Sequence, residues 1–111
     1  MIKENTVKSH RDFDRIIQTG ARTKTAHFRL HYLPNQLGHP RIGIAVGKRN
    51  GGAVTRVRLK RQVRAMVAKR VEEETPLDII VVIRPEYDPK DYHGLEAELL
   101  GAFQQIKEQR N

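Results

Sequence analysis

The segment GKRNGGAVTRVRLKRQVRAMVAKR, residues 47–70, combines a pair of glycines with a dense series of basic side chains. From residue 41 to residue 70 the chain holds ten Lys or Arg and no Asp or Glu. Arg is the more frequent of the two, and its planar guanidinium can donate two parallel hydrogen bonds to one phosphate. Like charges four residues apart destabilise a helix by a few tenths of a kcal/mol per pair unless an anion neutralises them. We therefore interpret the segment as a surface for phosphate groups.

The net charge of the chain is +8, and it is distributed unevenly along the sequence. Residues 1–40 carry seven basic and three acidic side chains, and residues 41–70 carry ten basic ones alone. Residues 71–111 carry four basic and ten acidic side chains. Such segregation produces a positive potential over one surface and indicates a polyanionic partner. Nucleic acid is the first candidate, and a membrane surface of anionic lipid is the second.

The five histidines are the other side chains that could perform chemistry, as acids, bases or metal ligands. His27 and His31 lie four residues apart on a predicted strand and so share one face. A metal site there needs further ligands, which the sequence does not indicate. No His stands at a recognisable motif spacing from a carboxylate, and no paired-acid pattern occurs. A self-sufficient hydrolase is therefore the weaker interpretation, and scattered surface histidines are favoured over it.

The composition is that of a soluble globular protein, with 38% hydrophobic and 31% charged residues. A length of 111 residues predicts a single domain, residues 1–111. No apolar segment approaches the roughly 20 residues that span a bilayer, and the first ten residues contain no hydrophobic signal region. The chain has no cysteine, which excludes disulfides and thiolate metal sites. We expect a cytoplasmic protein with no membrane partner.

Hydrophobic periodicity predicts an α/β sandwich with the order α-β-β-β-α-β-α. Apolar residues at helical spacing indicate three helices, the second of which is the basic segment. Alternating apolar residues indicate half-buried strands, and a run of five aliphatic residues indicates a central strand covered on both faces. In chain order the elements are helix 9–20, a weakly indicated strand 21–24, strands 27–33 and 41–47, the basic helix, strand 79–83 and helix 91–109.

The strand over residues 41–47 has two very different faces. One face is aliphatic, whereas the other holds only Gly43, Ala45 and Gly47. Because these residues have little or no side chain, another part of the protein can approach the backbone closely there.

The basic segment also forms a helix with two different faces, at about 100° per residue. Leu59, Val63, Met66 and Val67 fall within one arc of about 100°, which predicts a face buried in the core. The basic side chains occupy the remaining surface, and Val57 lies among them. The glycine pair precedes the helix N-terminus, where free N–H groups favour anions. It is not a nucleotide-binding loop of the Walker type, because the Gly-Lys-Ser/Thr ending is missing.

Residues 42–67, IGIAVGKRNGGAVTRVRLKRQVRAMV, resemble the signature of the protein subunit of bacterial ribonuclease P. That family typically has a strand ending in Val-Ser-Lys-Lys, a Gly-Asn-Ala-Val turn, and Arg-Asn-Arg-x-Lys-Arg-x-x-Arg on a helix. DFDRIIQTG resembles its first helix, HFRLHYL the following strand and LDIIVVIRP its last strand. The resemblance therefore extends over most of the chain. It departs from the family at Val57 and at Gly52, each of which stands where the family usually has Asn.

The resemblance implies a small protein partner of a large catalytic RNA. Together they remove the 5′ leader from precursor tRNA, with Mg²⁺ held mainly by the RNA and no catalytic or metal-binding residue in the protein. It further implies a protein that is monomeric outside the ribonucleoprotein. The implied fold is of the ribosomal protein S5 domain 2 type, with a left-handed βαβ crossover, opposite to the general rule. The residues that match the RNA-binding motif are Lys48, Arg49, Arg56, Arg58, Lys60, Arg61 and Arg64.

The resemblance also implies a cleft for the 5′ leader between the sheet and the first helix. Phe13 matches an aromatic residue of that cleft, whereas Ile17 stands where a second Phe is common and His31 where a Tyr is common. Lys60 and Arg64 are assigned to the leader as well. Base stacking contributes about 1–3 kcal/mol per base. The reduced number of aromatic rings therefore predicts a leader grip that depends more on charge.

Two further interpretations stay open at this point. A ribosomal-type RNA-binding protein or an RNA chaperone without a processing role has the same composition, and only the motif spacing argues against it. A membrane-surface protein would bind lipid through the aliphatic face of the basic helix. That face has no Trp or Phe, and the core of the protein needs it.

Overall fold

The structure, a computed structural model, describes Val7, residues 9–70 and residues 76–110. Its elements follow the predicted order, including the weakly indicated first strand. A 3-10 turn, Lys48–Asn50, lies between the third strand and the second helix. In chain order the elements are α1 (His10–Thr19), β1 (Ala21–Lys24), β2 (Phe28–Pro34), β3 (Arg41–Val46), α2 (Ala53–Arg70), β4 (Leu77–Ile83) and α3 (Tyr92–Arg110).

The four strands form one mixed sheet in the order β1-β2-β4-β3. β2 pairs antiparallel with β1 and with β4, and β3 pairs parallel with β4 through the α2 crossover. β4 is therefore central, as its aliphatic run predicts. Since successive side chains of a strand point to opposite faces, the register defines two faces of the sheet. Ile79, Val81 and Ile83 lie on one face, and Ile80 and Val82 lie on the other.

α2 and α3 cover the face that contains Ile79, Val81 and Ile83, and they form the main core. The predicted apolar face of α2 is confirmed, since its four aliphatic residues are all at most 2% exposed. The predicted apolar positions of α3 are buried against the same core. These two sets are Leu59, Val63, Met66 and Val67 on α2, and Leu95, Leu99, Ala102, Phe103 and Ile106 on α3.

α1 lies on the opposite face of the sheet. Its N-terminus is capped by Ser9, whose Oγ accepts hydrogen bonds from the backbone N–H groups of Arg11 and Asp12 at 3.1 and 3.4 Å. Ile16 of α1 packs on Ile80 in a smaller second core. Three layers result, with α1 on one side of the sheet and α2 and α3 on the other, and this arrangement confirms the predicted α/β sandwich.

Two glycines permit the close approach of α1 to the sheet. A Cβ on Gly43 would lie 2.7 Å from the Phe13 ring and 2.8 Å from Ile80 Cδ1. The nearly bare face predicted for β3 therefore receives an aromatic side chain of α1. At the end of α1, a Cβ on Gly20 would lie 2.5 Å from the backbone oxygen of Tyr32. Glycine at both positions thus sets how near the helix lies to the strands.

A buried ion-pair network fixes one end of α1 to the sheet. The carboxylate of Asp78, which is fully buried, accepts hydrogen bonds from Arg41 Nε at 2.8 Å and Nη2 at 2.6 Å. Asn35 Nδ2 donates at 2.9 Å and Arg15 Nη2 at 3.4 Å. Burial alone raises the pKa of Asp78. This effect is outweighed by the hydrogen bonds from Arg41 and Asn35 and by the charges of Arg41 and Arg15, so the pKa of Asp78 lies below its usual range.

Within the described part of the chain, no helix has both the length and the apolar character needed to cross a membrane.

Candidate RNA interface

The exposed side of α2 is cationic, as its sequence predicts. Arg58, Arg61 and Arg64 are exposed, and Arg56 and Lys60 are half-buried at the border with the core. Among the described residues, no ion pair reaches these five side chains. The charges of α2 are therefore available for an external anion.

One cation of the basic run from residue 41 to residue 70 has an internal role that its local sequence does not indicate. Arg41 pairs with Asp78 at 2.6 Å and with Asp12 at 3.4 Å. The hydrogen bond and the charge of Asp78 raise the pKa of Arg41 further above its usual value despite partial burial. Although Arg41 begins the run of ten basic residues, its side chain belongs to the network that holds α1.

The turn before α2 places further cations beside the helix N-terminus. Lys48 and Arg49 are exposed in the 3-10 turn. Asn50 Nδ2 donates to the backbone oxygen of Arg84 at 2.9 Å, which ties the turn to the end of β4. Gly51 has a φ of 132°, a conformation that L side chains rarely adopt. A Cβ on Gly52 would meet no heavy atom within 4 Å, so the Cβ of an Asn would fit at this position without a clash.

Two valines interrupt the cationic surface of α2. Val54 is 86% exposed and Val57 is 55% exposed, and the two lie three residues apart on one side of the helix. The placement of Val57 among the basic side chains agrees with the angles calculated from the sequence. An aliphatic side chain there cannot make the hydrogen bonds of the Asn that the family motif usually has.

The second candidate surface is an open groove between α1 and the sheet. Its volume is about 470 Å³. Arg22 and Arg29 contribute positive charge, and the remaining lining is mainly apolar or backbone. The residues that line it are Ile17, Arg22, Arg29, His31, Ala45, Val46, Gly47 and Val82.

His31 is the polar side chain set most deeply in this groove. It lies opposite Arg22 in the β1–β2 register and two residues from Arg29 on the same face of β2. It is 5% exposed, and its Nδ1 has no hydrogen-bond partner among the described residues. Burial lowers the pKa of His31, and the positive charges of Arg29 and Arg22 lower it further. The imidazole is thus disfavoured as a cation in the unbound protein.

A second cavity of about 330 Å³ continues the groove around the end of the sheet. It shares Arg29, Gly47 and Val82 with the first, and it adds Lys24, Arg49 and Arg84. Arg84 Nη1 donates to the backbone oxygens of Thr25 and Ala26 at 2.8 and 2.9 Å. Basic side chains therefore follow one another from the groove beneath α1 to the turn that precedes α2, interrupted by Glu86, whose carboxylate lies 3.7 Å from Arg84 Nε.

The structure brings together some of the residues assigned to the leader cleft and separates others. Ile17 and His31 line the groove, while Phe13 is half-buried against Gly43 beside it. Lys60 and Arg64 project from α2, on the other side of the sheet, so they do not belong to the groove lining. The arginines of the groove were not among the predicted site residues, although the alternation of β2 places Arg29 on the same face as His31.

The histidines do not converge. His27 Nδ1 lies 2.7 Å from Glu98 Oε1 of α3, a pairing across 71 residues that no motif spacing reveals. The expectation that His27 and His31 share one face is therefore wrong, because His27 precedes β2 and turns toward α3. The described residues contain no cluster of three or more His, Asp or Glu side chains suited to hold a metal ion.

Comparisons with known proteins agree with this geometry. The family model described as Ribonuclease P matches residues 1–107. The ribonuclease P protein component of Streptococcus agalactiae is 33% identical over 90% of this chain and 92% of its own length. That of Syntrophobacter fumaroxidans is 36% identical over 83% of this chain and 79% of its own.

Solved structures of this family superpose on the fold. A Staphylococcus aureus RNase P protein mutant matches with a TM-score of 0.85 and 27% identity, over 95% of this chain and 90% of that one. The RNase P protein of Thermotoga maritima matches with a TM-score of 0.80 and 25% identity, over 90% of this chain and 96% of that one. With its basic helix, its fold and these relatives, the chain belongs to the family of bacterial ribonuclease P protein components, the protein subunits of a tRNA-processing ribonuclease.

Proposed function

We propose that this protein binds the catalytic RNA of ribonuclease P through α2 and the preceding turn, and seats the 5′ leader of precursor tRNA in the groove beneath α1. In this way it assists the endonucleolytic cleavage that produces the mature 5′ end. The observation that carries the proposal is the pair of separate cationic surfaces, an exposed helix face and an open groove, joined by the Lys48–Asn50 turn.

The α2 surface is suited to a folded RNA. Arg56, Lys60 and Arg64 follow one another at four-residue spacing, which costs a few tenths of a kcal/mol per pair in an isolated helix. Phosphates on the partner convert this repulsion into attraction and release condensed counterions. The face is flanked by Lys48 and Arg49, which extend the same positive surface past the helix N-terminus.

The groove is suited to a single strand. Its apolar lining from Ile17 and Val82 can contact the flat face of a base, while Arg22 and Arg29 can contact the adjoining phosphates. Among the described residues, the groove lining contains no Phe, Tyr or Trp ring and one imidazole, that of His31, so little of the stacking energy of about 1–3 kcal/mol per base is available. The affinity for the leader therefore depends mainly on charge, and it decreases as the salt concentration rises.

The protein itself supplies neither the metal nor the reacting groups. Its described acidic residues do not converge on one point, and Asp78 is fully engaged by Arg41, Arg15 and Asn35. In this proposal Mg²⁺ is held mainly by the RNA. The protein screens repulsion between RNA phosphates and positions the leader relative to the catalytic RNA.

The experiment that tests the proposal is precursor-tRNA cleavage at low Mg²⁺. A bacterial ribonuclease P RNA alone, this protein alone and the mixture are compared. We expect cleavage in the mixture only. Cleavage by the protein alone would contradict the proposal and make the histidines catalytic candidates. No gain in the mixture would favour an RNA chaperone or ribosomal-type protein.

A further inference from the structure

The groove beneath α1 contains a titratable side chain that the proposed function does not use. His31 is nearly fully buried, and its shielded Nδ1 has no hydrogen-bond partner in the part of the chain that the structure describes. A buried ring nitrogen without a partner is unusual, because most buried polar atoms of proteins have one. The imidazole therefore lacks in the unbound protein the partner that would stabilise its charged form.

The charges of the described residues that face His31 are positive. Arg29 lies on its own strand and Arg22 lies opposite on β1. The other elements around the groove contribute apolar side chains, Ile17 from α1, Ala45 from β3 and Val82 from β4. Within residues 9–70 and 76–110, no carboxylate lines this part of the groove. The protonation of His31 is thus opposed by two like charges and by burial, with no anion to compensate.

We infer that the groove takes up a proton at His31 when a leader phosphate binds between Arg22 and Arg29. The bound phosphate neutralises the two charges that oppose protonation and adds an anion beside the imidazole, so the charged ring becomes favourable. By linkage, a ligand that raises the proton affinity of a site binds more tightly when the proton is present. This inference rests on the proposed function, and it makes the grip on the leader dependent on pH.

The direction and range of the effect follow from the charges. In the free protein the pKa of His31 lies below the ordinary value of 6.5. At a pH below the pKa of the leader-free protein, the imidazole of His31 is charged with and without the leader. At a pH above the pKa of the leader-bound protein, the imidazole is neutral with and without the leader. Leader-dependent affinity therefore falls with rising pH only between these two values. A pKa raised by about one unit on binding makes that affinity about tenfold greater at the acid end.

The test compares the affinities of the assembled ribonucleoprotein for precursor and mature tRNA between about pH 5 and about pH 8. A leader of uridines is used, since its bases do not titrate in this range. We expect the precursor-to-mature affinity ratio to fall with rising pH for the unchanged protein. His31→Gln, which keeps a polar side chain but does not titrate, should give a ratio independent of pH. His93→Gln, an exposed residue of α3 in the layer on the other side of the sheet, is the matched control and should keep the pH dependence.

If the precursor-to-mature affinity ratio of the unchanged protein is greater than one but does not depend on pH, the inference is overturned and the proposed function stands. Equal affinities for precursor and mature tRNA at every pH overturn both. Calorimetry of tRNA binding, with the ribonucleoprotein that contains the unchanged protein, measures the proton uptake directly when it is repeated in two buffers of different ionisation enthalpy. No variant is needed for this measurement. Uptake with precursor in excess of that with mature tRNA supports the inference, and equal uptake refutes it.

Discussion

Replacement of Arg61 by Ala tests how α2 contacts the catalytic RNA. The motif supplies seven cations, which are Lys48, Arg49, Arg56, Arg58, Lys60, Arg61 and Arg64. Each phosphate contact contributes roughly 0.7 to 0.9 to the slope of log affinity against log salt, so seven contacts predict a slope of about −5 to −6. Arg61 is exposed and central on the face, and its loss should make that slope shallower by about 0.7 to 0.9. The paired change Arg58→Ala and Arg61→Ala should remove about twice as much.

The assay is equilibrium binding of the protein to the catalytic RNA over a series of KCl concentrations. Lys90→Ala is the matched control, because Lys90 is an exposed cation in the loop between β4 and α3, outside the motif. The control should keep the slope of the unchanged protein. A slope that stays the same for Arg61→Ala, or that changes equally for Lys90→Ala, would mean that the α2 face is solvated in the complex and would refute the reasoning.

Three further predictions concern the groove and the framework that forms it. Arg29→Ala should reduce the precursor-to-mature affinity ratio and its salt dependence while leaving affinity for the catalytic RNA unchanged; an equal loss for both tRNAs would contradict the assignment of the groove. Asp78→Asn should lower the free energy of urea unfolding by about 3 kcal/mol, since it removes the buried carboxylate and leaves Arg41 and Arg15 with Asp12 alone among the described carboxylates, at 3.4 and 3.7 Å. Folding lowers the pKa of Asp78, so its charged carboxylate contributes to the free energy of unfolding above the unfolded-state pKa of about 3.8. That contribution is lost as the pH falls through the lower pKa of the folded state. The difference in stability between the unchanged protein and Asp78→Asn should therefore decrease in acid. Gly43→Ala should destabilise by about 1–3 kcal/mol because its Cβ would meet the Phe13 ring at 2.7 Å; unchanged stability would mean that α1 lies farther from β3.

Local patterns in the sequence predicted most of the helices and strands, because the spacing of apolar residues reflects which side chains are buried. The alternation in β2 and β3 and the aliphatic run in β4 indicated their positions in the sheet. The apolar arc of α2 contains Leu59 and Val63, which are buried, and leaves the basic side chains outside. A helix has the same two faces wherever it packs, so this division is visible before the partner layer is known.

The contacts between distant residues could not be predicted in the same way. The pairing of His27 with Glu98 spans 71 residues, and that of Arg41 with Asp78 spans 37. In neither case does a local rule identify the partner. The alternation of residues 27–33 predicts one face for His27 and His31, and the run of residues 41–70 contains no acid that could pair with Arg41.

The basic helix, its apolar face and the family signature are properties of contiguous residues, so they can be predicted from the amino-acid sequence alone. The groove is a property of the assembled layers, so it forms only when α1 packs on the sheet. Arg22, Arg29 and His31 become one surface because β1 pairs with β2 in a particular register and α1 covers only part of the sheet. Lys60 and Arg64 are excluded from that surface because α2 packs on the opposite face. The physical reason is that periodicity records whether a side chain is buried, whereas strand register and helix packing decide which exposed side chains meet.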